Sequence, residues 1–509
     1  MMQNQRIEKL VIVGGGTAGW MTAANLQHHF KERLHITLVE SSEIGTIGVG
    51  EATIPTIRHF YRQLGMTDTQ IIQATQATCK LGIQFNDWHK PGSSFIHPFG
   101  LFGQDLRGIG FHHFWLKLKQ QNRVTGLQDY SLGVNLAKHN KFTLPSANPS
   151  STLSVFDWAL HFDAALFAKH LREFAIAQGV QRIDAKIEQV NLREIDGFIE
   201  SLQLDSGVNI DGDLFIDCSG FRGLLIEEAL HTGYEDWSQW LLCDRAFAVQ
   251  TAAVGEPTSY TKVTAHQAGW QWRIPLQHRT GNGHVFSSRF MDEQDAKKIL
   301  EQNLDGQPLH EPRKISFTPG RRKKAWNKNC IAVGLSSGFL EPLESTSIAL
   351  VETAIEKIKQ LFPDKSFNSH LSDEFNTITA EEYERVRDFI ILHYKASARD
   401  DSDFWRYCKA MAIPDSLQYK MDLYRARGHF VRYRWEMFGN ASWLAIYDGF
   451  NIQPQTYDPA VDAFSDDYLA KTLNEMKLAI QQAVKDSPSH GDFLARYCAV
   501  AASGKNIPA

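Results

Sequence analysis

Two stretches of the chain hold residues whose types and order could do chemistry. Glu341-Pro342-Leu343-Glu344-Ser345-Thr346-Ser347 sets a carboxylate, Glu344, just before a helix that Pro342 and the Ser-Thr pair announce. A new helix leaves its first N–H groups unpaired and carries partial positive charge there. Thr346 and Ser347 therefore stand where an anion can rest. The second stretch, Thr78-Cys79-Lys80-Leu81-Gly82-Ile83, sets a lysine among apolar neighbours. Burial favours the neutral lysine, a nucleophile or base, although most lysines are simply solvated.

The elements that must position these groups can be read outward from them. Leu10-Val11-Ile12-Val13 has the pattern of a buried strand. Gly14-Gly15-Gly16-Thr17-Ala18-Gly19 follows, then a helical stretch to about Phe30, then the strand His35–Glu40. This is the dinucleotide-binding βαβ fingerprint in its full context. Gly14 allows the tight turn, Gly16 the approach of a pyrophosphate, and Gly19 close helix–strand packing. Glu40 is placed to accept hydrogen bonds from ribose hydroxyls. A purely structural glycine turn is the alternative.

Further on, Gly48-Val49-Gly50-Glu51-Ala52-Thr53-Ile54-Pro55 reads as a loop entering a helix. Its backbone groups could wrap a flavin, or it is a plain helix entry. An apolar strand from Ile331 to Val333 precedes the glycine-serine turn around Leu335.

The remaining segments are aromatic, amphipathic or charged. Phe95-Ile96-His97-Pro98-Phe99 and Phe111-His112-His113-Phe114-Trp115 supply rings that suit an aromatic ligand but are equally core material. His161 to Ala177 reads as an amphipathic helix, and residues 180–217 as short strands. Trp270 and Trp272, at i and i+2 in Trp270-Gln271-Trp272-Arg273-Ile274-Pro275, point to one face of a strand. Arg321-Arg322-Lys323-Lys324 reads as a solvated hairpin edge. Beyond residue 370 the pattern is mostly helical. The expected architecture is α/β, an FAD module of the α+β flavin-monooxygenase kind with a Rossmann-type βαβ unit. A mostly helical C-terminal domain follows. The expected domains are 1–360 and 361–509.

Composition narrows the classes. At 509 residues and a net charge of −5, nucleic acid is not the expected main partner. The six cysteines are scattered with no CxxC pair, which favours reduced thiols in a cytoplasmic protein and offers no zinc spacing. The histidines lack the HExxH frame, so no metal is expected. Leu10 to Leu26 superficially resembles a signal sequence, but its three glycines would break an apolar helix. No stretch is long and apolar enough for a membrane span.

At Lys80, Trp270-x-Trp272-x-Ile274-Pro275 and Glu344-Ser345 the chain resembles the flavin-dependent halogenases of the tryptophan-halogenase type. GGGTAGW, VGEATIP, CKLGIQF, IDCSGFRG, WQWRIP and EPLEST stand in that family's order over the first 350 residues or so. The resemblance implies a cofactor, FAD used as FADH2, supplied by a separate flavin reductase. It implies that Gly14, Gly16, Thr17, Ala18, Gly19, Glu40, Val49, Gly50, Glu51, Ala52 and Leu335 hold that cofactor. Chloride or bromide would rest near Thr346 and Ser347. O2 and halide would yield hypohalous acid, which travels to Lys80; the lysine either hydrogen-bonds it or becomes a haloamine, and an electron-rich aromatic ring takes the halogen. Glu344, with Ser345, would assist loss of the ring proton.

The resemblance further implies that Trp270, Trp272, Ile274 and Pro275 shield the flavin from substrate, and that His97 and Phe99 line the substrate pocket. Where tryptophan halogenases have a tyrosine-rich stretch, this chain has Phe438-Gly439-Asn440-Ala441-Ser442-Trp443. Trp443 is assigned to the pocket, and an indole-type or other aromatic substrate is expected in place of free tryptophan. The second halide position is Ser347 where glycine is usual, which is compatible with bromide. A homodimer is also compatible. Two other readings remain open on the same residues: an FAD-dependent aromatic hydroxylase, which would not need Lys80, and a flavin-binding protein without halogenation.

Overall fold

Leu10, Val11, Ile12 and Val13 are buried on both faces, as the central strand of a parallel sheet requires. The computed structural model describes residues 5–45 and 51–502. In it the strand Lys9–Val13 lies between His35–Glu40 and Leu214–Asp217, parallel to both. Gln181–Asp184 extends the sheet on one side. Cys330–Ala332 and then the antiparallel Trp326–Asn327 extend it on the other. Val13 is in register with Val39 and Asp217, so several strands end together at one edge. In open α/β sheets the edge at the carboxyl ends of the strands is where ligands bind.

The helices Thr17–Phe30, Ala164–Ala177 and Ser347–Gln360 belong to the same compact unit. That unit comprises residues 1–76, 162–244 and 316–384. Its core includes Val11, Val13, Val39, Leu202 and Phe215.

The second unit comprises residues 77–161, 245–315 and 385–509. Its mixed sheet runs in the order Arg313–Ser316, Arg245–Ala252, Arg279–Phe286, Gly269–Pro275, Thr261–His266, Gly82–Asn86 and Ser94–Pro98. From Arg245–Ala252 onward, neighbours are antiparallel except Thr261–His266 with Gly82–Asn86. The helix Glu293–Gln302 covers this sheet through Ala296 and Leu300, packed with Phe247, Val249 and Phe286.

The helices Asp403–Ala410, Asp415–Arg427, Asn440–Gly449, Asp466–Asp486 and His490–Ala502 supply the expected helical C-terminal region. Helix Asn440–Gly449 packs on the strand Ser94–Pro98, where a Cβ on Gly449 would collide with the Phe95 ring. The division into units differs from the expected 1–360 and 361–509 pair. Both units are built from sequence segments that interleave, so no single chain position separates them.

Two readings of local structure are corrected. His161 does not begin a helix: it lies on the strand Ala159–Phe162, and the helix starts at Ala164. Asp163 is the reason, because its side chain accepts from the N–H groups of Ala165 and Leu166 and so caps the helix there. Arg321 and Arg322 are not a solvated edge. Both are buried in the strand Gly320–Arg322, while Lys323 and Lys324 are exposed.

Candidate active site

The glycine turn has the shape its sequence predicts. Gly14 has φ +109°, and a side chain there would collide with the Cys218 carbonyl. One at Gly19 would strike the Gly14 carbonyl. Gly16 differs: a Cβ there would meet no atom within 4 Å. Gly16 is also the N-cap of helix Thr17–Phe30, with no side-chain cap. Room and uncapped N–H groups occur together at a helix start, which suits a pyrophosphate. Thr17 and Ala18 form the first turn of that helix.

Glu40 ends its strand with its carboxylate folded against Gly15. It accepts from Arg182 Nε at 2.5 Å and from Trp20 Nε1 at 3.4 Å. The Gly334–Ser336 turn, which carries the half-buried Leu335, approaches the start of the same helix. A Cβ on Gly334 would crowd that of Ala18. These residues fit FAD in this cradle. Val49 and Gly50 lie outside the described residues. Glu51 follows them, and Ala52 is buried.

The segment around Glu344 is folded more tightly than its sequence suggests. Leu343–Ser345 forms a 3-10 turn before helix Ser347–Gln360 begins. Glu344 and Ser345 both take left-handed backbone angles, φ +66° and +60°. Each such residue costs about 1–3 kcal/mol and persists only where its surroundings enforce it. The Ser345 N–H donates to the Pro342 carbonyl at 3.1 Å and closes the turn. Glu344 and Thr346 are each 1 % exposed. Thr346 is the N-cap of the following helix and provides no side-chain cap. A buried carboxylate and an uncapped helix start are thus held two residues apart.

In the other unit, Lys80 is fully buried at the end of the strand Thr78–Lys80. Its ammonium lies 5.2 Å from the centre of the Phe99 ring. The Phe99 N–H donates to the Leu81 carbonyl at 2.8 Å, which brings that ring beside the lysine. His97, two residues earlier and buried, stands 5.9 Å from Phe389 and 6.3 Å from Phe438. Phe389 stacks on Phe438 at 3.9 Å and meets Trp443 edge-on at 5.1 Å. His97 and Trp443 therefore meet through Phe389, while Phe99, two residues along from His97, stands beside Lys80.

Trp270 and Trp272 are buried with ring centres 6.1 Å apart. A Cβ on Gly283 would overlap the Trp272 ring, so the glycine opposite makes the space for it. Neither indole N–H has an acceptor among the described residues. Ile274 and Pro275 are buried at the end of the same strand.

Sequence reasoning missed two residues here. Arg322 donates to the Ser336 carbonyl at 3.0 Å and pairs with Glu227 at 2.6 Å, which fixes the Leu335 turn. Its neighbours Gly320 and Gly338, tight against facing backbone, were the available signal for a paired strand. His161 is the other, and Asp163 as a helix cap would have placed it on a strand. Among the described residues no group of three His, Cys, Asp or Glu side chains could hold a metal ion. Nor is any described helix long and apolar enough to cross a membrane.

Comparison with known proteins places this geometry. Residues 9–466 match the tryptophan halogenase family profile. Tryptophan 6-halogenase SttH of Streptomyces toxytricini is 36 % identical over 450 residues, 84 % of this chain and 85 % of that protein. Tryptophan 7-halogenase RebH of Lentzea aerocolonigenes is 34 % identical over 491 residues, 89 % and 91 %. Among solved structures, BrvH, a flavin-dependent halogenase from Brevundimonas sp. BAL3, superposes with a TM-score of 0.94 at 60 % identity, covering 97 % and 99 %. The fold is that of the flavin-dependent halogenases, and the chain is an FADH2-dependent halogenating oxidoreductase. With the profile spanning most of its length, the chain belongs to the tryptophan halogenase family.

Proposed function

We propose that this halogenase uses Lys80 to deliver an electrophilic halogen to an indole-type or other electron-rich ring, and that Glu344 removes the ring proton. The observation that carries the reading is the fully buried Lys80 beside Phe99, on the segment that also supplies His97 to the aromatic cluster. When bound, reduced flavin supplies two electrons to O2, so that halide leaves as hypohalous acid and the second oxygen atom as water. A separate flavin reductase provides those electrons.

The chain's residues then act as follows. Gly14, Gly16, Gly19 and the first turn at Thr17 and Ala18 hold the pyrophosphate. Glu40 binds ribose, and the 49–52 segment and Leu335 border the flavin. Thr346 and Ser347 hold the halide at the uncapped helix start. Lys80 Nζ–H donates to the oxygen of hypohalous acid and orients its halogen. The ring carbon bonds the halogen, the halogen–oxygen bond breaks, and the departing hydroxide takes a proton from Lys80 to become water. The carboxylate of Glu344, with Ser345 beside it, takes the ring proton. Trp270, Trp272, Ile274 and Pro275 separate flavin from substrate.

His97, Phe99 and Trp443 form the walls of an aromatic substrate site. The absence of a Tyr-Tyr pair from Phe438 to Leu444 favours substrates other than free tryptophan. Ser347 at the halide position is compatible with a preference for bromide.

The test supplies FAD, a flavin reductase, NADH, bromide or chloride, and a panel of indoles. Mass spectrometry should show a one-to-one bromine isotope doublet. A product heavier by oxygen alone would make the chain a hydroxylase. Lys80→Ala should lose halogenation by at least about 100-fold. Halogenation surviving that substitution would refute the lysine mechanism.

A further inference from the structure

We propose that His161, fixed as its neutral Nδ1–H tautomer, is the positioning residue for Lys80: it locks the lysine's strand to the end of the Trp270–Trp272 strand. The inference rests on the reading of Lys80 as the reacting group. His161 and Thr78 face each other across the antiparallel pair Thr78–Lys80 and Ala159–Phe162. In the same pairing Ala159 lies opposite Lys80, and its small side chain leaves room for the lysine stem. Thr78 and Lys80, at i and i+2, share one face of their strand. All three side chains, Thr78, Lys80 and His161, are fully buried.

The hydrogen bonds admit one assignment. Thr78 Oγ1 lies 2.7 Å from the Pro275 carbonyl and 3.0 Å from His161 Nδ1. A carbonyl only accepts, so the single hydroxyl proton of Thr78 is committed to Pro275. The imidazole must then donate at Nδ1. Its Nε2, 2.9 Å from Thr261 Oγ1, is left bare and accepts the Thr261 hydroxyl proton. The chain Thr261–His161–Thr78–Pro275 runs in one direction and ends on the backbone of the Trp270–Trp272 strand.

A second proton on His161 would face Thr261 Oγ1 and reverse that bond. Burial, and after it the charges of Lys80 and His490, hold its pKa well below the ordinary histidine range. His490 braces the same strand independently: its Nε2 accepts the Cys79 N–H at 3.1 Å and its Nδ1 donates to the Pro257 carbonyl at 2.9 Å.

Displacing a reacting group by about 1 Å can cost on the order of 100-fold in rate. A positioning role at Lys80 therefore predicts a specific failure: halide is oxidised, but the oxidant is not delivered to the ring. With reductase, FAD, bromide and an indole, His161→Leu should lose about tenfold or more of the brominated product. Hypobromous acid caught by an added cyclic 1,3-diketone should not fall. His161→Asn, whose amide N–H replaces Nδ1–H toward Thr78, should recover most of the loss. Product at the parent level in His161→Leu would overturn the proposal. So would equal loss in both variants, or loss of hypobromous acid together with product.

Nitrogen-15 spectra of histidine-labelled protein, assigned by comparison with His161→Asn, give a readout independent of turnover. They should show Nδ1–H and no titration between about pH 5.5 and 8.5. An Nε2–H tautomer refutes the assignment. An active Lys80→Ala would instead sink the lysine reading, and the spectra would still decide the tautomer.

Discussion

Glu344 carries two burdens. Its carboxylate is buried and its backbone is left-handed, as is that of Ser345. Neither condition helps folding, so the positions read as strain retained for chemistry. Glu344→Gln keeps the shape of the side chain and removes the proposed base. It should lower halogenated product by about 100-fold while leaving FAD affinity unchanged. Product formation at the parent rate would assign the ring proton to another acceptor. The type and place of Glu344 were legible in EPLEST. Its backbone was not, because nothing in Leu-Glu-Ser-Thr favours positive φ, and the surrounding fold imposes it.

At the scale of elements, the glycine turn shows which parts of a fingerprint the fold needs and which await a ligand. Gly14 and Gly19 are required by the backbone pressed against them, whereas nothing presses on Gly16, whose backbone lies at φ −75°. Gly16→Ala should leave the thermal midpoint within about 1 °C of the parent, since an alanine meets no strain there. It should weaken FAD binding by about tenfold, measured by quenching of flavin fluorescence. Unchanged affinity would remove the pyrophosphate from this turn.

The βαβ unit was readable because its spacing is local. His161 and Arg322 were not read, for different reasons. Leu160 and Phe162 fit a helix or a strand equally well, and only Asp163 decides between them. Four consecutive cations look solvated until Glu227 and Glu235 arrive from distant sequence to pair two of them.

The whole molecule also carries a pH signature. Glu352, on the helix Ser347–Gln360, has its pKa raised to about 8 by burial, and one of its carboxyl oxygens has no hydrogen-bond partner. Its folded form keeps a proton that the unfolded chain releases above the ordinary carboxyl range, so its contribution falls as pH rises toward 8. His284 and His490 are depressed to about 4, chiefly by burial. The unfolded chain binds protons at both below about pH 6.5, so their contribution is lost as pH falls from there toward 4. Of these three groups, the two histidines outweigh the carboxyl in the lower window, joined there by His113, also depressed to about 4 by burial, and Glu352 titrates in the upper. Taken by themselves, these groups favour the folded state most near about pH 6.5. Glu352→Gln should raise the thermal midpoint at pH 8 by about 2 °C or more relative to its effect at pH 5. A gap independent of pH would place the retained proton elsewhere.

The packing of Trp270 and Trp272 has a further chemical consequence. A halogenase that works through a free oxidant, as proposed, is itself built with twelve tryptophans. Any indole left open beside that oxidant is a competing substrate. The Trp272 ring occupies the space a side chain at Gly283 would need, and the Trp270 ring stands 6.1 Å from that of Trp88. On the proposed route of the oxidant, the close packing of these two rings would shield them from halogenation, and a cavity opened beside either should appear as a mass gain of one halogen on the protein itself.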